Sequence, residues 1–288
     1  MKYLVTGATG AFGTRAIKTL STKVPTSEIV ASVRDKSKAN ELIEMGIEVR
    51  QADFNDEQSL EKAFEGMDRV LMISTNEPVH DKRIAQHINA INAAKKNQVK
   101  LLVYTSGTNN PQKPVPLAIA HIATEKYLFE SGVSYCVLRN NSYLETEIPT
   151  VKACMSGAPI VTSAGSGKVG FATKHDYADA AVSALIGSNN ENKIYELSGT
   201  PITYDEFAQV LGAVLGKEIP VTHVDDDAYA TALKQLGMAD VMIPMLVATK
   251  KGIREGLMEV HSDDLEMLLG RPAISLKDGL TAICNALS

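Results

Sequence analysis

The sequence predicts an α/β protein built on a doubly wound parallel sheet, with a smaller α+β lobe behind it. Three observations carry that expectation. Short apolar runs and helical patterns alternate strictly from the first residues to about Asn140, joined by brief connections, which is the pattern of βαβ units. Gly7, Gly10 and Gly13 form a G-x-x-G-x-x-G run between the first apolar run and the first helical one. Past Asn140 the strict alternation loosens into shorter, mixed patterns.

Tyr3 to Val5 reads as a short buried strand, and Ala11 to Leu20 as the helix after it. Glu28 to Val33 is the second strand and Lys36 to Met45 its helix. Ile47 to Gln51 is the third strand, followed by a helix over Asp56 to Glu65 that Asp56 would cap. Arg69 to Ser74 is the fourth strand and His80 to Asn97 a long amphipathic helix. Leu101 to Thr105 is the fifth, and a loop from Gly107 to Pro116 leads to a helix ending near Ser131. Tyr135 to Leu138 is the sixth. Crossovers between such strands are right-handed. Later strands are expected at Pro159 to Thr162, Lys193 to Leu197 and Ile219 to His223. Later helices are expected at His175 to Gly187, Thr203 to Leu215, Asp226 to Leu236 and Leu276 to Leu287. Residues 1–140 would be the nucleotide-binding domain and residues 141–288 the substrate lobe, with chain crossing back to the first.

A strand that turns straight into a helix leaves the helix's first N–H groups unpaired and aimed at one spot. Those groups and the helix dipole favour a phosphate there. Gly7 would permit the tight turn, Gly10 the approach of a pyrophosphate, and Gly13 close packing of helix on sheet. Thr9, Ala11 and Phe12 complete the cradle. This is a Rossmann-like arrangement, and its cofactor crevice belongs at the carboxyl ends of the strands.

A 288-residue chain with formal charge -5 and no Lys/Arg run argues against nucleic acid as a partner. Cys136, Cys154 and Cys284 are few, odd in number and far apart, which suits reduced thiols and a cytoplasmic protein. No leader precedes the first strand, and no apolar stretch is long enough to insert in a membrane. A small-molecule substrate and a monomer or homodimer are expected. The histidines show no metal-ligand spacing, so no metal is expected. Asp225 to Asp227 reads as a helix cap.

Arg34 ends the second strand, where NAD-specific chains carry an acidic residue for the ribose hydroxyls. A guanidinium there suits a 2′-phosphate, so NADPH is expected over NADH, although Asp35 could still touch ribose. Asp53 and Phe54 follow the third strand; Asp53 either meets the adenine amino group or serves as a turn residue. Ser74 and Thr75 would line the wall beside adenosine and pyrophosphate. Asn140, Asn141 and Ser142, after the sixth strand, would flank the nicotinamide or form a plain turn, and Tyr143 offers a stacking face. Gly165-Ser166-Gly167-Lys168 would either bring Lys168 over the cofactor phosphates or form a hairpin. His121 and Glu125 share one face of the helix after strand five. His121 would either bind or protonate a substrate oxygen, oriented by Glu125, or be a satisfied helix histidine.

T-G-A-T-G-A-F-G at 6–13, S-V-R-D-K-S-K-A at 32–39 and A-D-F-N-D at 52–56 resemble the short-chain dehydrogenase/reductase superfamily, in its atypical NmrA-like branch. L-A-I-A-H-I-A-T-E-K at 117–126, L-R-N-N-S-Y at 138–143 and A-G-S-G-K-V at 164–169 are similar to the bacterial NAD(P)H quinone reductases and triphenylmethane dye reductases of that branch. The resemblance covers nearly the whole chain. The wider superfamily reduces carbonyls with a Tyr-x-x-x-Lys pair. None of the nine tyrosines here has a lysine four residues later, and the matching positions are Ile122 and Lys126.

That missing acid suits acceptors whose hydride adduct needs little protonation, such as quinones or cationic dyes. A flavin-free NADPH-dependent reductase with His121 and Tyr143 at its pocket is the reading this favours. The alternative is an NmrA-like, NADP(H)-sensing regulator without catalysis. A sugar-nucleotide epimerase would need the absent tyrosine.

Overall fold

The computed structural model of the chain describes residues 1–109 and 112–288; Asn110 and Pro111, within the loop expected from Gly107 to Pro116, lie outside the described residues. The first half runs β1 (Tyr3–Val5), α1 (Ala11–Ser21), β2 (Ile29–Val33), α2 (Asn40–Glu44), β3 (Glu48–Gln51), α3 (Glu57–Phe64), β4 (Arg69–Met72), α4 (His80–Lys96), β5 (Leu101–Gly107), α5 (Pro116–Ser131) and β6 (Tyr135–Asn140). The second half runs β7 (Ser142–Tyr143), α6 (Ile148–Met155), β8 (Ile160–Thr162), β9 (Val169–Ala172), α7 (Lys174–Ile186), β10 (Lys193–Leu197), β11 (Pro201–Ile202), α8 (Tyr204–Leu215), β12 (Val221–His223), α9 (Asp226–Gln235), α10 (Ile243–Arg254), α11 (Asp264–Leu269) and α12 (Leu276–Leu287).

Seven parallel strands form the main sheet in the order β10-β6-β5-β4-β1-β2-β3. The chain steps outward from β1 to β3, then returns to β4 on the other side. That reversal opens a crevice at the carboxyl ends of β1 and β4. Helices cover both faces, so the central strands are apolar throughout, and β2 (IVASV) is buried at every position. Alternate residues serve opposite layers. Tyr3, Val5, Ile29 and Ala31 pack with Ile17 and Leu20 of α1 and with Tyr177 and Val182 of α7. Leu4 and Val30 pack with Phe64, Ile91 and Leu128 on the other side.

Two parts of the second half return to this sheet. β10 pairs with β6 in parallel, and α7 lies along α1, where Asp179 accepts from Arg15 Nε (2.8 Å), Arg15 Nη2 (2.6 Å) and Thr19 Oγ1 (2.6 Å). Helix α11 joins them through Leu265 in the first core. Most of the other second-half elements gather round a third core of Leu144, Val151, Phe171, Phe207, Leu211 and Leu280, with the small sheets β11-β9-β7 and β12-β8 at its edge.

The expected helix over Lys36 to Met45 is divided into a 3-10 turn at Lys36–Lys38 and the short α2. Strand four stops at Met72, because the N–H groups of Ser74 and Thr75 turn away from the ladder to Thr105 Oγ1 (2.9 Å) and His87 Nε2 (3.0 Å). Asp56 does cap its helix, accepting from Ser59 N at 3.2 Å, and Asp225 caps α9 through Ala228 N at 2.8 Å. No helix is long and apolar enough to cross a membrane, and no cluster of side chains could hold a metal ion, among the described residues.

Candidate active site

The turn from β1 into α1 opens on the crevice. Gly7 has φ +58°, a left-handed conformation that a side chain would strain. The turn is closed by Gly10 N–H on Gly7 O (3.0 Å) and by Thr14 Oγ1 on Ala8 O (3.1 Å). Gly10 begins the helix without a side-chain cap, and Gly7, Thr9, Gly10 and Ala11 are exposed. The first N–H groups of α1 therefore face outward, ready for an anion. A Cβ on Gly13 would lie 2.3 Å from Gly7 O and 2.7 Å from Ala8 Cα, so only glycine lets the helix rest on the turn. Phe12 is half-buried, its ring centroid 6.4 Å from that of Tyr143. An uncapped helix start on a cradle that side chains would fill suits a dinucleotide pyrophosphate.

Beyond the end of β2, Arg34 and Lys38 are exposed, and neither forms an ion pair among the described residues. Asp35, which could touch ribose, also caps the turn that follows. Its carboxylate accepts from Ser37 Oγ (2.7 Å) and Ser37 N (3.0 Å), capping the 3-10 turn. Those two bonds hold its carboxyl below the usual range, with Lys38 and Arg34 adding to the effect. Asp53 takes the turn role: its Oδ1 accepts from Asn55 N (2.8 Å) and Asn55 Nδ2 (2.9 Å). Phe54 rests against the core between α3 and α4.

Behind the ends of β4 and β5 lies a buried network that the sequence only half anticipates. Thr75 N–H donates to His87 Nε2 (3.0 Å), so the His87 proton sits on Nδ1 and is donated to Thr124 Oγ1 (2.9 Å). Thr124 in turn donates to Ala120 O (2.7 Å). Arg83 Nη2 donates to His121 Nε2 (3.2 Å), which places the His121 proton on Nδ1, donated to Tyr104 Oη (2.7 Å). Burial lowers both imidazole pKa values, and the nearby Arg83 cation lowers them further, His87 to about 3 and His121 well below its usual value. His121 is thus neutral, with a lone pair and no proton on Nε2. Both of its ring nitrogens are engaged within the protein, as in the second of the two roles expected for it.

This state has a pH consequence. A histidine whose folded pKa is depressed binds its proton only in the unfolded chain, so stability is full above about pH 6.5 and falls as pH drops. Each imidazole contributes a slope of up to about 1.4 kcal/mol per pH unit. Urea unfolding should show stability falling between pH 6.5 and 5, and His87→Asn should flatten the slope. An equal slope in the variant would remove His87 from the account.

Glu125 is not the partner of His121 either. It is 3% exposed and accepts from Ser106 Oγ (2.6 Å), Asn109 Nδ2 (2.9 Å) and Arg139 Nη2 (2.6 Å), while Arg139 Nη1 also reaches Glu196 (2.8 Å). Although His121 and Glu125 share a helical face, the β6 side chain captured the carboxylate. Asn140 Nδ2 donates to Tyr143 Oη (3.1 Å), and Tyr143 stands edge-on to Tyr177 with centroids 5.2 Å apart. Asn141 is committed to the fold and not to a ligand. Its Nδ2 donates to Ser198 Oγ (3.1 Å) and Met258 O (3.0 Å), and its Oδ1 accepts from Ser142 N (2.9 Å). Ser142 itself lies half-buried in β7.

The loop Gly165–Lys168 is not the hairpin that is one of its two expected forms. It joins β8, paired with β12, to β9, paired with β7 and β11. A Cβ on Gly167 would lie 2.2 Å from Ile253 O, which pins the loop on α10, and Lys168 lies near Glu206 at the start of α8.

Five of the seven buried side-chain polar atoms without a partner, among the described residues, cluster at one edge: Arg83 Nε, Gln86 Oε1, Thr108 Oγ1, Asn109 Oδ1 and Asn140 Oδ1. Each is a buried atom whose hydrogen-bonding capacity the protein's own groups leave unused. Arg83, His87, Tyr104 and Lys38 were missed from sequence. The available signal was Arg83 and His87 four residues apart on a helix face that continues as Ala90, Ile91 and Ala94, all buried. A separate cleft of about 610 Å³ lies between Ser198–Ile202 and the segment before α12, away from this cluster.

A protein-family profile described as NAD(P)H-binding matches residues 7–186. Quinone oxidoreductase 2 of Escherichia coli (strain K12) is 38% identical over 282 residues, covering 98% of this chain and 98% of its own. The solved structure of an NADPH-dependent quinone oxidoreductase from E. coli complexed with NADPH matches with a TM-score of 0.94 at 37% identity, over 98% of this chain and 100% of that one. The triphenylmethane reductase of a Citrobacter species matches with a TM-score of 0.94 at 35% identity, over 99% of this chain and 100% of that one.

Proposed function

The chain belongs to the NAD(P)H-binding family, in its NmrA-like branch, and from that premise we propose that it is an NADPH-dependent reductase of quinones and related flat electrophiles. One observation carries the choice. The polar groups beside the cofactor crevice are a cation, Arg83, two neutral imidazoles, and the phenols of Tyr104 and Tyr143. Burial raises the pKa values of both phenols, and neither has a lysine four residues later to lower them, so no ready proton donor stands among these groups. An acceptor reduced there must tolerate a negative adduct, as a quinone does by delocalising charge over its ring.

NADPH supplies a hydride when bound. The uncapped start of α1, with Gly7, Thr9, Gly10, Ala11 and Phe12 around it, holds the pyrophosphate. Arg34 and Lys38 would meet the 2′-phosphate, while Asp35 Oδ1 caps its own turn. Ser74 and Thr75 form the wall beside the pyrophosphate. Asn140, through its free Oδ1, and Tyr143, through its ring, position the nicotinamide end and a flat acceptor over it. Phe12 and Tyr177 brace Tyr143 from two sides.

The experiment is loss of NADPH absorbance on adding benzoquinone or naphthoquinone to purified protein, with NADH in parallel. Turnover is expected with NADPH. Arg34→Ala should raise KM for NADPH roughly 10- to 100-fold, the worth of one or two charge-assisted hydrogen bonds, and leave KM for NADH unchanged. Tight NADPH binding without oxidation across quinones and dyes would leave a sensor instead.

A further inference from the structure

Arg83 is a half-buried cation in this crevice that no carboxylate balances, among the described residues, whereas the unpaired Arg34 and Lys38 are exposed to water. It rises from α4 one turn before His87 and is half-buried. Its Nη2 donates to His121, a neutral acceptor, and its buried Nε has no partner. No carboxylate pairs with it among the described residues, and Glu125, on the same helix as His121, is saturated by Arg139, Ser106 and Asn109. Burial lowers the pKa of Arg83, which the Tyr104 and Tyr143 oxygens only partly offset. Arginine nonetheless stays protonated. Holding an unpaired guanidinium half out of water carries a desolvation cost that an apolar side chain at position 83 would avoid.

We propose that Arg83 binds the substrate oxygen that becomes negative on reduction, and that its charge makes the pocket select neutral or acidic quinones over cationic dyes. This rests on the reductase reading. A hydride carries two electrons and a proton nucleus from NADPH to the quinone. The nicotinamide C–H bond breaks and its hydride forms an O–H bond at one quinone oxygen. The ring π electrons shift onto the other oxygen, NADPH is left as NADP⁺, and the product is the hydroquinone monoanion. The negative oxygen accepts from Arg83 Nη1–H, the guanidinium nitrogen that is neither buried nor engaged among the described residues. The guanidinium keeps its proton, and water protonates the anion to hydroquinone after release. The same charge repels a triarylmethyl cation in a partly desolvated pocket. Arg83 offers a planar pair of donors, and lysine would keep the charge but lose that fork.

The test has a binding arm and a turnover arm. In the first, the pKa of p-nitrophenol bound to the NADP⁺-loaded protein is read from phenolate absorbance. Wild type should lower it by about one unit or more, Arg83→Lys should keep part of that shift, and Arg83→Gln should lose it. In the second, Arg83→Gln should lower kcat/KM for benzoquinone about 100-fold, the typical effect of removing one oxyanion donor, with NADPH affinity unchanged and the rate on a cationic triarylmethane dye equal or higher. The NADPH affinity, together with Arg83→Lys, guards against a folding defect. Equal nitrophenol pKa values in wild type and Arg83→Gln would overturn the proposal, as would undiminished benzoquinone turnover in that variant. A lowered nitrophenol pKa in a wild type that reduces no quinone would sustain the anion site and sink the quinone reading.

Discussion

Gly13→Ala should abolish tight NADPH binding and destabilise the fold by about 3 kcal/mol, at the upper end for overpacking. The added methyl would stand 2.3 Å from Gly7 O, 2.7 Å from Ala8 Cα and 2.9 Å from Gly7 C. All three are backbone atoms of the same turn, so no rotamer change relieves the contact. Gly7 cannot yield, since it is held at φ +58° and followed by Ala8, whose N–H bonds Ser32 O at 3.2 Å. Helix α1 must therefore lift from the sheet, straining the Arg15–Asp179 pair that ties it to α7. Lifting it also misaligns the N–H groups that would meet the pyrophosphate, so affinity should fall by at least roughly 100-fold. Fluorescence titration with NADPH and a thermal melt check both halves, with Tm falling on the order of 5–10 °C. Gly10→Ala is the control: its Cβ would lie 3.3 Å from one atom, Gly7 O, so the fold should survive. A Gly13→Ala protein with wild-type Tm and NADPH affinity would refute the assigned role of the turn.

That turn was legible in sequence because everything it needs is local: three glycines, a strand before, a helix after. Asp56 as a cap and Arg34 at the end of β2 were legible for the same reason. The pairings that shape the pocket are not local. Glu125 and His121 lie on one helical face, which made them look like partners. Yet the two are held by β6 and α4 respectively, and only the strand order brings Arg139 and Arg83 to them. Asn141 looked like one more polar residue of a loop, whereas it ties the end of β6 to Ser198 and Met258, far along the chain. β7 and β11 have two residues each, too few for any alternation to register. Helix α10 was overlooked, and with it the surface that fixes Gly167.

Glu125→Ala should be the costliest side-chain truncation at this edge, at about 3–5 kcal/mol, because it strands a partly buried guanidinium. Arg139 side-chain exposure is 19%, and its remaining anion, Glu196, is 32% exposed and screened by water. The truncation also frees Ser106 Oγ and Asn109 Nδ2 from the oxygen that holds them. Replacing the pair together, Glu125→Leu with Arg139→Met, should recover most of that loss, since two apolar side chains fill the space without an unpaired charge. Urea unfolding of the two single variants and the double gives the coupling; additive losses would mean that the two side chains act independently. Turnover should not recover with stability. Ser106 and Asn109 stand at the end of β5 beside Gly107, whose backbone abuts the His121 ring so closely that a Cβ on Gly107 would lie 3.3 Å from His121 Cδ2. If the ion pair serves to fix that rim, the double variant will be stable and slow, with kcat lowered and NADPH affinity kept. A double variant that regains kcat with stability would show the pair to be a matter of folding alone, and the rim to be held by the Tyr104–His121–Arg83 chain behind it.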